Sequence, residues 1–365
     1  MLSRSVFISV YCRLEGIEYL NEVQWNALIR ILRQKSLIAS YYHRLCLRDL
    51  DGLIPGYCKN VFISAIRFAD AQAHQTSVQA EKLTALLGRH DIPFIFLKGA
   101  AYTLGKNANG VGRLMTDIDI CVTREIIDKL EVVLLDKGWT FKEMDEHDDK
   151  YYRAWSHELP PLTNDEDGVV LDVHHTLVPP VKGRFLDIEK LVASSVDNAK
   201  FSVPSKEWLV LHSALHLIIN EDVDNGLRDL TDIYRLLSDE ADAKAAMDRT
   251  STLFKQEGFY NEWLTLARLL KFYFALDILD DADKKLPLYY RIRAIALTRS
   301  LLPRSSFITN KYSAFWSLLN YLLGYESKMP FHILVRQALF KVYRNAAKFI
   351  FGEFFFRKAK KLKEN

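Results

Sequence analysis

Two aspartates one residue apart, Asp117 and Asp119, lie in the run Thr116–Val122, where Ile118, Ile120 and Val122 alternate with them. In extended backbone successive side chains point to opposite faces, so both carboxylates share one face. Two like charges on a half-buried strand repel, and burying them is costly without a counter-charge. A divalent cation removes that cost, and Mg²⁺ suits a site of one or two carboxylates plus phosphate oxygens. The bland alternative is an exposed edge strand with two solvated aspartates. The flanking apolar residues and the glycine-bearing loop upstream argue against it. A third carboxylate, Asp172, stands in the apolar run Val169–His174 and shares a face with His174. Alone it would read as a polar hairpin residue. Beside Asp117 and Asp119 it completes the set for two-metal phosphoryl transfer: a pair that bridges the metals, and a third group that ligates one and takes a proton from an attacking hydroxyl. Lys98-Gly99, at the end of one apolar run and the start of a helix, suits a triphosphate, since glycine admits a close phosphate and lysine supplies charge. Arg113, four residues before Asp117, is a second phosphate candidate. His174 either orients Asp172, touches phosphate, or is a hydrogen-bonded strand residue.

These side chains need strands to hold them. Ile92–Leu97 is a short apolar run that reads as a buried strand ending at Lys98. Residues 105–112 hold three Gly and two Asn and read as a loop, leading into the Thr116–Val122 strand. Arg124–Lys137 is an amphipathic helix closed by Gly138, and Trp139–Glu143 returns as a strand. Tyr151–Leu159 and Gly168–His174 read as a hairpin around an Asn164–Gly168 turn. Helical periodicity dominates on either side. Trp25, Leu28, Ile29 and Leu32 fall at i, i+3, i+4 and i+7 behind an Asn21 cap, and a second helical region runs from about Val61 to His90. From Ser205 the chain is almost wholly helical, with Pro287, Pro303 and Pro330 as breakers. The expected fold is α+β, a small mixed sheet flanked by N-terminal helices and a C-terminal helical domain. Its segments are 1–90 (helical), 91–204 (the sheet-bearing core), 205–330 (helical) and 331–365 (a basic amphipathic helix).

The runs Phe94-Ile-Phe-Leu-Lys98-Gly99-Ala100, Arg113-Leu-Met-Thr-Asp117-Ile-Asp119-Ile-Cys-Val and Leu171-Asp172-Val-His174 resemble the uncharacterised nucleotidyltransferase family, within the DNA-polymerase-β-like nucleotidyltransferase superfamily. Trp25–Leu45 is similar to the family's N-terminal helices. Leu211–His216 and Leu227-Arg228-Asp229-Leu-Thr-Asp232 are similar to its helical segment after the sheet, and Pro303-Arg304-Ser305 through Tyr312 resembles a C-terminal motif. Coverage is about residues 20–240. The resemblance implies a fold that binds a nucleoside triphosphate and two Mg²⁺ ions and transfers a nucleotidyl group. Asp117 and Asp119 would then hold the metals, Asp172 would be third ligand and base, and Lys98 and Gly99 would sit at the phosphate-binding turn. The wider superfamily has Gly-Ser at that turn, its Ser contacting phosphate; here it is Gly99-Ala100, with Lys98 as the substitute.

Composition sets the remaining bounds. The chain has 365 residues, 49% apolar and 26% charged, an ordinary globular balance that excludes disordered and collagen-like classes. Its runs are too short for a membrane span and Ser5–Tyr11 is too short for a signal peptide. Cys12, Cys46, Cys58 and Cys121 form no CxxC pair, which fits a reducing cytoplasm. The net charge of +3 is uneven: residues 331–365 carry nine Lys/Arg against Glu353 and Glu364, so the body is slightly acidic. On a helical wheel Lys341, Arg344 and Lys348 gather opposite Val335, Leu339, Val342, Phe349 and Ile350. Through residues 331–363 such a helix grips an anionic membrane surface, peripherally, or an RNA backbone, unless its apolar side simply packs on the body. His212 and His216, at i and i+4, have a zinc-compatible spacing, but Ser213 stands where a metalloprotease has Glu, which favours core histidines. Arg228, Asp229 and Asp232 read as an ion-pair network, and Tyr151, Tyr152 and Trp155 as core aromatics or a base-stacking platform. The expected activity is Mg²⁺-dependent transfer of NMP from an NTP to a hydroxyl or phosphate acceptor, with a small molecule, glycan or peptide favoured. The alternatives are a non-catalytic nucleotide-binding scaffold and a toxin-like tRNA nucleotidyltransferase.

Overall fold

The computed structural model describes residues 1–142, 158–178, 184–198, 200–238, 243–278, 286–310 and 312–328. The chain enters through β1 (Leu2–Ser3), a single turn α1 (Arg4–Phe7) and a π-helical stretch Ile8–Arg13, then forms α2 (Glu22–Gln34), α3 (Ile38–Cys46) and α4 (Gly56–Gly88). α2 begins at the expected cap: Asn21 Oδ1 accepts from the Gln24 N–H and Gln24 Oε1 accepts from the Asn21 N–H, satisfying two end donors reciprocally. Trp25, Leu28, Ile29 and Leu32 are all buried, as their spacing requires. α4 runs 33 residues and buries Phe62, Ala69, Thr76, Ala80, Leu83 and Leu87, a narrow stripe that leaves its polar flanks available to neighbouring loops.

The sheet region follows with β2 (Ile95–Phe96), α5 (Lys98–Leu104), β3 (Ile118–Cys121), α6 (Ile127–Asp136), β4 (Trp139–Phe141), β5 (Leu162–Asn164) and β6 (Val170–His174). Among the described residues these five strands form one mixed sheet in the order β2-β3-β6-β5-β4. β3 and β6 are parallel neighbours at its centre, and the other pairings are antiparallel. All of β3 is buried, as are Leu171, Val173 and His174 of β6, so the two parallel strands are the sheet's least hydrated part.

Two strand expectations change in extent. The first strand is only Ile95–Phe96, and the regular hairpin arm before the Asn164–Gly168 turn is Leu162–Asn164; of the expected Tyr151–Leu159 arm, Glu158 and Leu159 also pair with β6, the Leu159 N–H donating to the Val173 carbonyl at 2.8 Å. Pro160 and Pro161 have no N–H to give a ladder, so the pairing breaks there and resumes at Leu162. Residues 151–157, with Tyr151, Tyr152 and Trp155, lie outside the described residues, as does the basic segment 331–365. The turn itself forms as expected. Asn164 Oδ1 accepts from the Glu166 N–H at 2.9 Å, and Gly168 takes φ +70°.

After α7 (Ile188–Ala193) and a small hairpin of β7 (Val196–Asn198) and β8 (Phe201–Val203), the chain is helical: α8 (Lys206–Ile219), α9 (Gly226–Ser238), α10 (Ala243–Gln256), α11 (Tyr260–Phe274), α12 (Leu288–Ser300) and α13 (Ser313–Lys328). One short exception is β9 (Ile308–Thr309), which pairs in parallel with β1 and ties residues 2–3 to 308–309. α8 is buried from Trp208 to Ser213 and beyond, apolar almost all round, which makes it the central helix of this layer. No described helix is long and apolar enough to cross a membrane.

Candidate active site

The parallel register of β3 and β6 sets Asp119 beside Asp172, and Cys121 beside His174. Asp117 lies at the entrance to β3, half-buried, two residues before Asp119. The three carboxylates expected to act together are thus delivered by adjacent strand segments. Asp119 is the deepest, 3% exposed. Its Oδ1 accepts from Lys98 Nζ at 2.6 Å and lies 3.0 Å from His174 Nε2. Burial alone would raise the Asp119 carboxyl, but the Lys98 ammonium and the His174 ring hold it well below the usual carboxylate range.

The other two acids move the opposite way. Asp172 is pushed up to about 7, first by burial and then by the negative charge of Asp119, Glu158 and Asp117. Asp117 is raised by burial and by Asp119. Asp172 Oδ1 is buried without a hydrogen-bond partner. The cluster therefore holds more negative charge than Lys98 neutralises. Among the described residues no three His, Cys, Asp or Glu side chains are arranged around an ion in this conformation. The donor set nevertheless fits a hard divalent cation: all oxygen, excess negative, with one buried oxygen unsatisfied.

Lys98 begins α5 with φ +44°, a left-handed backbone uncommon for a non-glycine residue. This turn aims its side chain across the sheet end at Asp119 rather than outward to an open phosphate position. Gly99 is required for a packing reason. A Cβ there would lie 2.8 Å from Met115 Cγ and 3.4 Å from Arg113 Nε, so its absence lets the loop before Asp117 close on α5. Ala100 is buried. Arg113 is committed inward: its guanidinium bonds Asp232 Oδ2 at 2.5 Å, with both side chains buried, and lies 5.4 Å over the Tyr102 ring. Asp232 thus joins the framework under the site. His174 is buried, on the shared oxygen of Asp119 rather than on Asp172.

Several residues that shape the site carry no motif. Gln72 on α4 clamps the Met115 backbone with both ends of its amide: Oε1 accepts from the Met115 N–H at 2.9 Å and Nε2 donates to the Met115 carbonyl at 2.6 Å. One to two turns on, Gln79 Nε2 donates to Asp167 in the β5–β6 turn at 2.8 Å. One face of α4 therefore fixes both the loop that carries Asp117 and the turn that leads to Asp172. The spacing Gln72-x-x-Gln75-x-x-x-Gln79 was the available signal, an amide stripe at helical period. A cleft of about 130 Å³ runs between that stripe and Asp117. Glu158, bridged to β6 at His174 and 3.6 Å from its Nε2, adds a fourth carboxylate. His212 is a core histidine, as its surroundings favour, but it is also a wall of the site: its ring lies 6.1 Å from that of His174, edge to face. Burial depresses its basicity strongly, so a neutral imidazole backs the charged cluster. His216 is partly exposed, 3.8 Å from Asp229.

No curated protein matches the chain. A family match extends over residues 21–270, past the sheet and into α11, and stops short of Pro303–Tyr312. That span covers more than half of the chain, and the chain belongs to the uncharacterised nucleotidyltransferase family.

Proposed function

We propose that this enzyme transfers a nucleoside monophosphate from an NTP to a hydroxyl or phosphate oxygen, in a Mg²⁺-dependent reaction centred on Asp117, Asp119 and Asp172. The observation that carries this reading is the register of Asp119 against Asp172 on parallel central strands, with Asp117 two residues upstream. Those three carboxylates would hold the metal, which supplies charge neutralisation for the triphosphate when bound. Asp172 Oδ1, buried and unpartnered, accepts the proton from the acceptor O–H as its oxygen bonds the α-phosphorus and pyrophosphate leaves. Lys98 balances Asp119 and supplies positive charge for the incoming phosphates. His174 keeps the Asp119 carboxylate oriented. The amide-lined cleft at Asp117 is too small for a whole nucleotide and suits one hydrogen-bonding edge of donor or acceptor. A small molecule, glycan or peptide is the favoured acceptor, because the body outside residues 331–365 is slightly acidic and offers no broad surface for RNA.

The test is transfer of label from α-labelled NTPs, with Mg²⁺, across panels of hydroxyl and phosphate acceptors. Wild type should label one panel, and Asp117→Ala/Asp119→Ala should not. Equal labelling by the double variant would remove the carboxylates from the chemistry.

A further inference from the structure

Away from the five-stranded sheet, the entry segment β1–α1, the π-helical stretch, α11, α12 and β9 enclose a groove of about 800 Å³. Four arginines line it, Arg4, Arg13, Arg268 and Arg299, and none of its lining residues is acidic. Such a concentration of guanidinium in a body that is otherwise slightly acidic needs a reason. None of the four forms a salt bridge among the described residues.

Two of the arginines are set in place by backbone. Arg4 Nη2 donates to the Thr298 carbonyl at 2.8 Å, while its Nε is buried with no hydrogen-bond partner. Arg13 donates through Nη2 to the Phe272 carbonyl at 2.8 Å and through Nε to the Tyr273 carbonyl at 3.3 Å. Arg268 and Arg299 make no hydrogen bond among the described residues, so their donors are uncommitted. Burial lowers the basicity of Arg4, Tyr273 partly offsets it, and the nearby Arg299 charge adds to the lowering. Serine hydroxyls from residues 3, 5 and 9 line the same groove, and Phe272 and Ile295, both exposed, give it an apolar side.

We propose that this groove is a second binding site, distinct from the carboxylate cluster, for a phosphate group carried on an organic molecule. Several guanidinium forks match the oxygens of a multiply charged phosphate. The apolar side receives the carrier, either a soluble phosphorylated compound or a lipid with a phosphate headgroup.

Calorimetry in EDTA with pyrophosphate as the soluble probe tests the assignment, together with sedimentation on phosphatidylcholine vesicles with and without phosphatidic acid. Arg268→Gln/Arg299→Gln removes the two side chains that support no internal contact, and its unchanged melting temperature and circular dichroism would establish an intact fold. Wild type should bind at least one probe saturably, and the double variant about 100-fold more weakly, the effect of losing two charge-assisted anchors. Lys98→Met should bind as wild type does, which separates this groove from the NTP site. Pyrophosphate binding alone assigns a soluble ligand; vesicle binding that requires phosphatidic acid and is competed by pyrophosphate assigns a lipid headgroup. Equal affinity in wild type and double variant, loss of binding in Lys98→Met, or no saturable binding of either probe would overturn the proposal.

Discussion

In a Lys98→Met variant the Asp119 carboxylate keeps its burial and loses its ammonium. Methionine preserves the length and most of the apolar stem, so the change isolates the charge. The pair is short, 2.6 Å, and the two side chains are 24% and 4% exposed. Removing one partner of a buried pair typically costs about 3–5 kcal/mol, because the remaining charge stays desolvated. His174 remains 3.0 Å from the same oxygen and Lys98 is not fully enclosed, which favours the lower end, roughly 3 kcal/mol. For a chain of this length that is a loss of about 4 °C in Tm. Scanning calorimetry in EDTA measures it directly. Titration with Mg²⁺ should then restore the variant by more than it stabilises wild type, since in wild type the cation must displace Lys98 and in the variant it fills a deficit. Adding Asp119→Asn to the variant should recover much of the loss without metal. An unchanged Tm in EDTA, or identical Mg²⁺-induced gains in both proteins, would refute the view that Lys98 is the resident counter-charge of the cluster.

Gln72→Ala leaves the Met115 N–H and carbonyl without their amide partners, a loss of about 1–3 kcal/mol. Because Gln72 acts by positioning the Asp117 loop, kcat should fall more than KM for NTP rises; the reverse split in steady-state kinetics would make it a ligand contact. Gly99→Ala forces Met115 away from a Cβ that would approach to 2.8 Å, so overpacking should cost about 1–3 kcal/mol in urea unfolding, and a neutral result would show that the loop yields freely. For Asp172, a folded-state carboxyl near 7 against an ordinary 3.8 means that the folded protein holds a proton the unfolded chain has released. Its contribution is therefore fully present below about pH 4 and is lost as pH rises towards 7, by up to roughly 4 kcal/mol. Denaturation midpoints in EDTA should decline across that window in wild type and be flatter in Asp172→Asn, and matching profiles would contradict the assignment.

The carboxylates were legible because their chemistry conflicts with their surroundings: Asp117, Asp119 and Asp172 interrupt apolar strand patterns. The Asn21 cap, the Asn164–Gly168 turn and the closing Gly138 follow from local rules of backbone and side-chain hydrogen bonding, and each forms as its residues specify. Partner choice across long separations was not legible. Nothing near Lys98 says that its ammonium will meet Asp119, nor near Arg113 that it will be spent on Asp232 119 positions later. Gln72 looks like an ordinary solvated helix residue until the Met115 backbone is set against it. The break in the hairpin arm between Leu159 and Leu162 follows from the missing donors of Pro160 and Pro161, which the aromatic run after Tyr151 outweighed.

The pairing of β1 with β9 has a consequence for how the molecule is made. Leu2 and Phe7 are fully buried, Arg4 is anchored at Thr298, Tyr11 reaches Thr231, and Arg13 reaches Phe272. None of these partners exists when residues 2–13 leave the ribosome. At about 5–20 residues per second, the strand that accepts β1 emerges on the order of 15 to 60 s later. Throughout that interval the segment has its contacts with α3, where Tyr41 donates to the Val10 carbonyl and Arg44 to those of Tyr11 and Cys12, but not its partners from the C-terminal helices. Residues 2–13 thus complete their packing only once α11, α12 and β9 have been made, long after their own synthesis.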